Sequence, residues 1–468
     1  MPDYDVVVIG SGPAGYAAAF RAAQLGGRVA MIEKGALGGT CLNRGCVPTK
    51  SLLEAAGVLE QMRRADALGL ACENPRADMA RLIERKDRHV AKLRGGVAQL
   101  AKGLGIEIVG GTATIAARNA VRVESAEGDR TLATKAIIIA SGSEPQPLES
   151  LPFDHTTVLS STDILERDTV PETLLIVGGG TIGCEFATLF AGLGATVTIV
   201  EMLEQLLPGQ DARVARTLQA SFKRRGIGLH LGAQVARLDV GAGGATARLS
   251  SGATVEAETV LVSVGRRLNS EGLGLETVGV RTENGRIVVD EYLETNIPGI
   301  YAAGDVIGGW LLAHVGHHEG MTAAENAMGA APMGGLRRMD YRAVPACVYT
   351  RPEIATVGLD EAQATSAGRE VVTGRFAFAA TSKAVVANEA EGFARVVADA
   401  GTGQVVGVQI IGPHATELIG EAAVLVRTEA TLTELVETVH PHPTLSEALM
   451  EAGLEALGRP LHTMSKRR

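Results

Sequence analysis

One pattern occurs twice in this chain and leaves little freedom in what it can fold into. An apolar run over residues 6–9 is followed by Gly10-Ser11-Gly12-Pro13-Ala14-Gly15, an alanine-rich helical stretch to about Leu25, a second apolar run over 29–32, and Glu33. The same order returns with an apolar run over 174–177, Gly178-Gly179-Gly180-Thr181-Ile182-Gly183, a helical stretch to about Leu193, a run over 197–200, and Glu201. The spacing from first glycine to acid is the same in both copies. A strand, a glycine-rich turn, a helix and a strand ending in a carboxylate are what dinucleotide binding requires. The first glycine (Gly10, Gly178) allows the tight turn. The second (Gly12, Gly180) lets the backbone approach a pyrophosphate. The third (Gly15, Gly183) lets helix and strand pack closely. Free N–H groups at the helix N-terminus then face the phosphates. A single GxGxxG is a weak signal, but here the whole context is duplicated.

The chain has 468 residues, room for about three domains of ~150 residues. Between the two units lie a helical region over about 49–103 and β-rich stretches over about 106–140. A strand-rich segment covers about 228–264, and residues 300–305 read as a strand ending in a small-residue turn and Asp305. From about Tyr341, alternating strands precede helices near 416–427 and 445–457. The net charge of −9 and an aromatic content of 3% argue against a nucleic-acid partner, which calls for a basic face and stacking rings. No apolar run approaches the ~18 residues of a membrane helix. Met1-Pro2-Asp3-Tyr4-Asp5 lacks the basic start of a signal peptide, so the chain is expected in the cytoplasm. Lys466-Arg467-Arg468 reads as a solvated tail.

The five cysteines are Cys41, Cys46, Cys72, Cys184 and Cys347. An odd, sparse set in a long chain is no disulfide framework. Cys41 and Cys46 lie in Gly38-Gly39-Thr40-Cys41-Leu42-Asn43-Arg44-Gly45-Cys46-Val47-Pro48-Thr49-Lys50, directly after the first unit. In a regular helix, Cα atoms five residues apart are too distant to bridge. Gly45 and Pro48 bracket the second cysteine, so an irregular first turn could bring the sulfurs together. Redox chemistry, two unrelated buried thiols, or half of a metal site all fit the spacing. No second pair completes a Cys₄ zinc site, so no metal is expected, and two dinucleotide units favour redox chemistry. Cys72, Cys184 and Cys347 are expected to pack as small hydrophobes.

With these motifs together, the chain resembles the pyridine nucleotide–disulfide oxidoreductase family nearly end to end. The resemblance also rests on the turn ending at Asp305, on Leu312-Ala313-His314, and on His440-Pro441-His442-Pro443-Thr444-Leu445-Ser446-Glu447. It implies an α/β fold with two Rossmann-like dinucleotide-binding domains plus a C-terminal α+β dimerisation domain. The expected bounds are 1–146 and 268–340 for the FAD-binding domain in two parts, 147–267 for the NAD-binding domain, and 341–468 for the dimerisation domain. The resemblance implies FAD on the first unit, with Glu33 at the adenosine ribose, Asp305 at the ribityl chain, and Ser141, Gly142 and Ala313 near the flavin. It implies NAD on the second unit, with Glu201 at its ribose and Gly265 lining the site. Cys41 is then the interchange thiol, Cys46 the thiol beside the flavin, and Lys50 a fixed cation paired with Glu185. His442, oriented by Glu447, is the expected base, acting across a homodimer whose active sites are shared; His440 is expected to matter less. The reaction so implied is oxidation of dihydrolipoamide, free or on a lipoyl domain, by NAD.

Two positions depart from the family pattern. Arg44 puts a large cation between the cysteines, and Ser141-Gly142 stands where Thr-Gly is frequent. The rival readings are an NAD(P)H-driven disulfide or mercuric reductase, and a non-catalytic subunit of a 2-oxo acid dehydrogenase assembly. Mercuric reductases typically carry an extra C-terminal cysteine pair, and residues 458–468 contain none.

Overall fold

The protein is described by a computed structural model covering residues 2–330 and 334–464; the 466–468 tail lies outside the described residues. The first unit forms as its pattern dictates. β1 (Tyr4–Ile9) is buried on both faces from Val6 onward, as a central parallel strand must be. It pairs in parallel with β2 (Val29–Glu33), Val6 opposite Val29 and Ile9 opposite Ile32. Between them runs α1 (Pro13–Gln24), with proline in its first turn, where a missing N–H costs nothing. On its other side β1 pairs with the strand Arg130–Ile139.

Two helices follow β2: α2 (Gly39–Arg44) and α3 (Cys46–Arg63). The sequence predicts one helical region over 49–103. The structure breaks it after α3 and resumes it at Met79–Gly103, capped by Asp78. Gly69, at φ +73°, and Pro75 lie in the gap and explain the break.

The second unit repeats the first: β3 (Thr173–Val177), α4 (Thr181–Leu193) and β4 (Thr196–Glu201) lie in a separate five-stranded sheet. The chain then returns to the first sheet, where Ile300–Ala302 pairs in parallel with Arg130–Ile139. α5 (Ala313–Ala327) follows and packs on α1. From residue 346 on, five antiparallel strands form a third sheet, in the order Ala346–Val348, Glu353–Gly358, Val405–Gly412, Phe393–Asp399, Val371–Ala377. The helices Ala415–Arg427 and Glu447–Ala456 cover it. No helix among the described residues is long and apolar enough to cross a membrane.

One buried cluster belongs to all three sheets' neighbourhoods at once. Leu52, Ala56 and Leu59 of α3 pack with Phe186 and Phe190 of α4 and with Val348, Phe393 and Ile411 of the third sheet. This apolar contact holds α3, and so the cysteine segment at its start, against the second unit. The α1–α5 contact is equally close: a Cβ on Gly320 would lie 2.1 Å from the Ala14 carbonyl oxygen. Gly320→Ala is therefore expected to lower stability by about 1–3 kcal/mol, the usual result of forcing atoms into a packed contact. Gly95→Ala, on a helix with nothing within 4 Å of the added Cβ, should be neutral or stabilising by ~0.5–1 kcal/mol. Urea unfolding of both variants measures the difference.

Candidate active site

Gly45 makes the thiol geometry possible. It separates α2 from α3 at φ −137°, ψ −109°, so Cys46 starts a new helix instead of continuing the old one. A Cβ on Gly45 would lie 3.1 Å from the Thr40 carbonyl oxygen and 3.4 Å from the Cys41 Cα. The bare backbone lets the Cys41 turn fold back until the two thiols act directly on each other. The pair divides its charge unequally. The hydrogen bond from Cys41 lowers the Cys46 pKa; burial opposes this, and the Lys50 ammonium adds to it. Cys41 moves the other way, because its proton is held by Cys46 and its surroundings are desolvated. Cys46 also stands in the first turn of α3, where free N–H groups favour a thiolate.

Lys50, one turn along α3, points its Nζ at Glu185 of α4, 2.9 Å and 2.7 Å from the two carboxylate oxygens. The Tyr349 N–H donates to the same carboxylate at 3.0 Å. The Lys50 ammonium also lies 4.5 Å from the Tyr349 ring centroid, a cation–π contact.

The thiols open into a cavity of about 1800 Å³ that runs between the two glycine-rich turns. Its walls include Gly10, Gly12, Glu33, Lys50, Ser141, Gly142, Asp305 and Ala313, and, on the second unit, Gly178, Gly180, Glu185, Glu201 and Gly265. The three glycines of each turn divide their work. A Cβ on Gly10 would meet the Ala140 oxygen at 2.3 Å, and one on Gly178 the Ser263 oxygen at 2.4 Å. Gly15 and Gly183 do not line the cavity; a Cβ there would meet the Gly10 and Gly178 oxygens at 1.9 and 2.0 Å. The chain's own packing thus demands the first and third glycines. Gly12 and Gly180 have no protein atom closer than 3.8 Å to an added Cβ. Their bare backbone at a helix N-terminus fits a pyrophosphate instead.

Each acid clasps its own turn in the same way. Glu33 accepts from the Ser11 N–H at 3.0 Å, the Ser11 hydroxyl at 2.6 Å and the Gly35 N–H at 2.8 Å. Glu201 accepts from the Gly179 N–H at 2.6 Å and the Leu203 N–H at 2.9 Å. Carboxylate oxygens retain lone pairs for ribose hydroxyls. Arg44 lies at this end of the cavity: a Cβ on Gly35 would be 3.9 Å from its guanidinium and 3.6 Å from the Glu33 carboxylate.

Several functional neighbours escaped sequence reading. Arg266 donates to the Ser143 hydroxyl at 2.6 Å and to the Ser143 carbonyl at 2.7 Å, and the Ser143 hydroxyl donates to Asp305. Burial lowers the pKa of the Arg266 guanidinium, with Asp305 and Cys46 opposing. Asn269 clamps Ser141, accepting from its hydroxyl at 2.7 Å and donating to its carbonyl at 3.1 Å. No local motif marks these residues; only the chain's return to the first domain brings them in.

His442 and Glu447 do not line the cavity of their own chain. His442 Nδ1 is 2.9 Å from Glu447 Oε1, and the Thr444 N–H donates to the other oxygen at 2.9 Å. Burial works against ionisation of Glu447, yet Thr444 and His442 hold its carboxyl below the usual range. His440 is committed elsewhere, to Glu421 at 2.9 Å and the Thr438 carbonyl at 2.8 Å. Of the remaining cysteines, Cys184 is buried as expected. Cys72 is exposed, contrary to expectation, because it sits in the gap after α3. Cys347 is half-buried and lines the cavity.

The sequence matches the family described as "Pyridine nucleotide-disulphide oxidoreductase" over residues 4–328 and that family's dimerisation domain over 344–453. The chain belongs to this family. It is 42% identical over 464 residues to a dihydrolipoyl dehydrogenase of Bacillus subtilis, covering 98% of this chain and 99% of the relative. It is 42% identical over 471 residues to one of Haloferax volcanii, covering 99% and 98%. Among solved structures, LpdA from Mycobacterium tuberculosis superposes with a TM-score of 0.90 at 30% identity, covering 96% of this chain and 99% of that one. The HOCl-induced flavoprotein disulfide reductase RclA from Escherichia coli gives 0.85 at 29%, covering 96% and 99%. The protein is accordingly a flavin-dependent disulfide oxidoreductase that uses FAD and NAD and carries a dimerisation domain.

The charges around Cys46 make a directional prediction. Lys50→Met removes the cation that favours the thiolate, so the pH midpoint for alkylating Cys46 in the reduced protein should rise by on the order of one unit. Glu185→Gln removes the opposing anion and should move it down. Iodoacetamide rates against pH measure both; shifts of the same sign would contradict the assignment.

Proposed function

We propose that this enzyme oxidises dihydrolipoamide, free or carried on a lipoyl domain, by the overall reaction dihydrolipoamide + NAD⁺ → lipoamide + NADH + H⁺. One observation carries the proposal: the Cys41–Cys46 pair lines a single cavity with both glycine-rich turns, so thiols, flavin site and nicotinamide site share one space. The names of relatives matched over almost the whole chain support the lipoyl substrate.

FAD, held at the first glycine-rich turn, would supply the electron-accepting chemistry between the thiols and NAD, which would leave as NADH. The chain supplies the rest. A substrate thiolate attacks the Cys41 sulfur, breaking the Cys41–Cys46 bond and releasing Cys46 as the favoured thiolate. The second substrate thiol then displaces Cys41 and closes the substrate disulfide. Lys50, held by Glu185, keeps positive charge beside Cys46. His442 takes the proton of the attacking substrate thiol. Ionised Glu447 accepts from Nδ1–H, leaving Nε2 basic and stabilising the imidazolium, as a triad acid does. Because His442 lies outside its own chain's cavity, it serves the cavity of the partner subunit in a homodimer. Sparse cysteines outside this pair suit a reducing, cytoplasmic compartment, which cell fractionation checks.

NADH formation with dihydrolipoamide, run beside NADPH oxidation with glutathione disulfide, tests the substrate. Activity only in the second assay overturns the reading, and activity in neither favours a non-catalytic subunit. NAD should exceed NADP by at least about a hundred-fold in kcat/KM, since a 2′-phosphate against Glu201 juxtaposes like charges worth several kcal/mol. Equal kcat/KM values would remove Glu201 from that role. Subunit mixing tests the shared site. A heterodimer of Cys46→Ser and His442→Ala chains has one cavity with intact thiols and an intact partner base, so about half of wild-type activity is expected if sites are independent. A folded, FAD-loaded heterodimer with no activity would put the base in its own chain.

A further inference from the structure

Tyr349 is fixed at a point where three parts of the chain meet. It follows the strand Ala346–Val348 and opens the short connection to Glu353–Gly358, its partner strand, with Val348 opposite Ile354. Val348 is buried in the apolar cluster shared with α3 and α4. On the other side the Thr350 hydroxyl donates to the Pro352 carbonyl at 2.6 Å and closes the turn. Anchored on both sides, Tyr349 gives its N–H to Glu185 and lays its ring beside Lys50. The residue also lines the cavity that holds the thiols. Among the described residues its hydroxyl has no hydrogen-bond partner, so the ring and the backbone make its contacts here.

Lys50 gains from such a wall. A lysine ammonium is a strongly hydrated point charge on a flexible four-carbon stem, and this side chain is 32% exposed. Left alone it would share its time between Glu185 and water. Glu185 holds it from one side at 2.9 Å and 2.7 Å. The Tyr349 ring centroid stands 4.5 Å away on another, and the electron-rich face of a ring attracts a cation. Cys46 opens the same helix four residues earlier, a spacing that puts both side chains on one face. A ring beside the ammonium also takes up space that water and counter-ions would otherwise fill, and a charge that is screened less acts further.

We propose that the Tyr349 side chain is a positioning residue of the thiol centre: its ring keeps the Lys50 ammonium on Glu185, on the face of α3 that carries Cys46, and shields that charge from bulk salt. The proposal rests on Cys41 and Cys46 being the redox couple. The ring acts on Cys46 only through Lys50. Cys41 and Glu185 are the other charged or titrating groups that set the state of Cys46, and the charge of Cys46 bears on Arg266 and Tyr16. Cys347, Glu353 and Glu417 face Tyr349 itself. Burial pushes the Tyr349 phenol up to about 12 and the Cys347 thiol up to about 11. Both therefore stay neutral while Cys46, whose pKa is lowered, titrates.

The Cys46 thiol can be read by itself in FAD-loaded enzyme that has been reduced anaerobically and freed of reductant. Trypsin cuts after Arg44 and Lys50, so Cys46 lies alone on the peptide 45–50, and mass spectrometry follows its iodoacetamide alkylation apart from the other cysteines. In Lys50→Met the peptide runs on to Arg63 and still holds Cys46 alone. Tyr349→Leu should raise the pH midpoint by about half a unit, part of the rise expected for Lys50→Met. Its midpoint should also drift upward between about 0.05 and 0.5 M salt, where the wild type holds nearly still. Tyr349→Phe keeps the ring and should match the wild type. In the Lys50→Met background Tyr349→Leu should add nothing, because the charge it positions is gone. FAD content and thermal midpoint report folding, and Tyr349→Met replaces Tyr349→Leu if the latter loses FAD. A wild-type midpoint without the ring, the same rise in the Lys50→Met background, or a Tyr349→Phe variant that behaves like Tyr349→Leu overturns the proposal. No rise in Lys50→Met itself overturns it together with the role of the cation. No lipoyl substrate enters, so a chain that shows this pattern and does not turn over dihydrolipoamide loses the lipoyl reading and keeps the role of Tyr349.

Discussion

Three separately folded parts of this chain meet on one carboxylate. Glu185, on the helix of the second dinucleotide unit, accepts from Lys50 on the cysteine helix of the first and from the Tyr349 backbone, just past a strand of the third sheet. Its side chain is 5% exposed and that of Lys50 32%. A carboxylate this buried is stable only while its partners are present. Losing one partner of a buried pair costs about 3–5 kcal/mol, less where one side is partly solvated as Lys50 is. The apolar cluster of Leu52, Phe186, Phe190 and Val348 supplies the complementary force and shields the pair from water. The positive charge that favours the Cys46 thiolate is thus a product of domain docking.

The repeated unit explains why two dinucleotide sites can share one set of thiols. Each copy spends its first and third glycines on its own packing and leaves the middle one bare toward the cavity. Each terminal acid accepts from one backbone N–H of its glycine-rich turn and from the N–H two residues beyond itself, so the chain itself holds the carboxylate in place. Such preorganisation reduces what must be ordered on binding. The cysteine segment then enters where the first unit ends, and docking of α3 on α4 turns both units toward it.

How much could be read in advance follows from the range of the interactions. Fold class, the two units and the strands at 6–9, 29–32 and 174–177 were legible because buried parallel strands and glycine turns are local patterns. The contacts of Glu33 and Glu201 with their own turns are short-range for the same reason. The break after Arg63 was missed, although Gly69 and Pro75 announce it, because helical periodicity on either side outweighed them. Arg266, Ser143, Asn269 and Tyr349 carry no local mark. They matter through partners 123 to 164 residues away, and spacing reports nothing at that range. Cys72 was misread because a cysteine's burial depends on what folds over it.

By itself the sequence determined the two nucleotide-binding units, the redox candidacy of Cys41 and Cys46, and the His442–Glu447 couple five residues apart. These rest on backbone geometry and on neighbours within one or two turns of chain. Only the tertiary structure supplied the contacts behind the uneven charge of the thiols, burial and a Lys50 ammonium seated on Glu185. It also decided that Arg44 lies near Glu33, and that His442 stands outside its own chain's cavity. Those outcomes depend on burial and on charges brought together from distant segments. A desolvated group's proton affinity is set by everything packed around it, and no stretch of sequence contains that information alone.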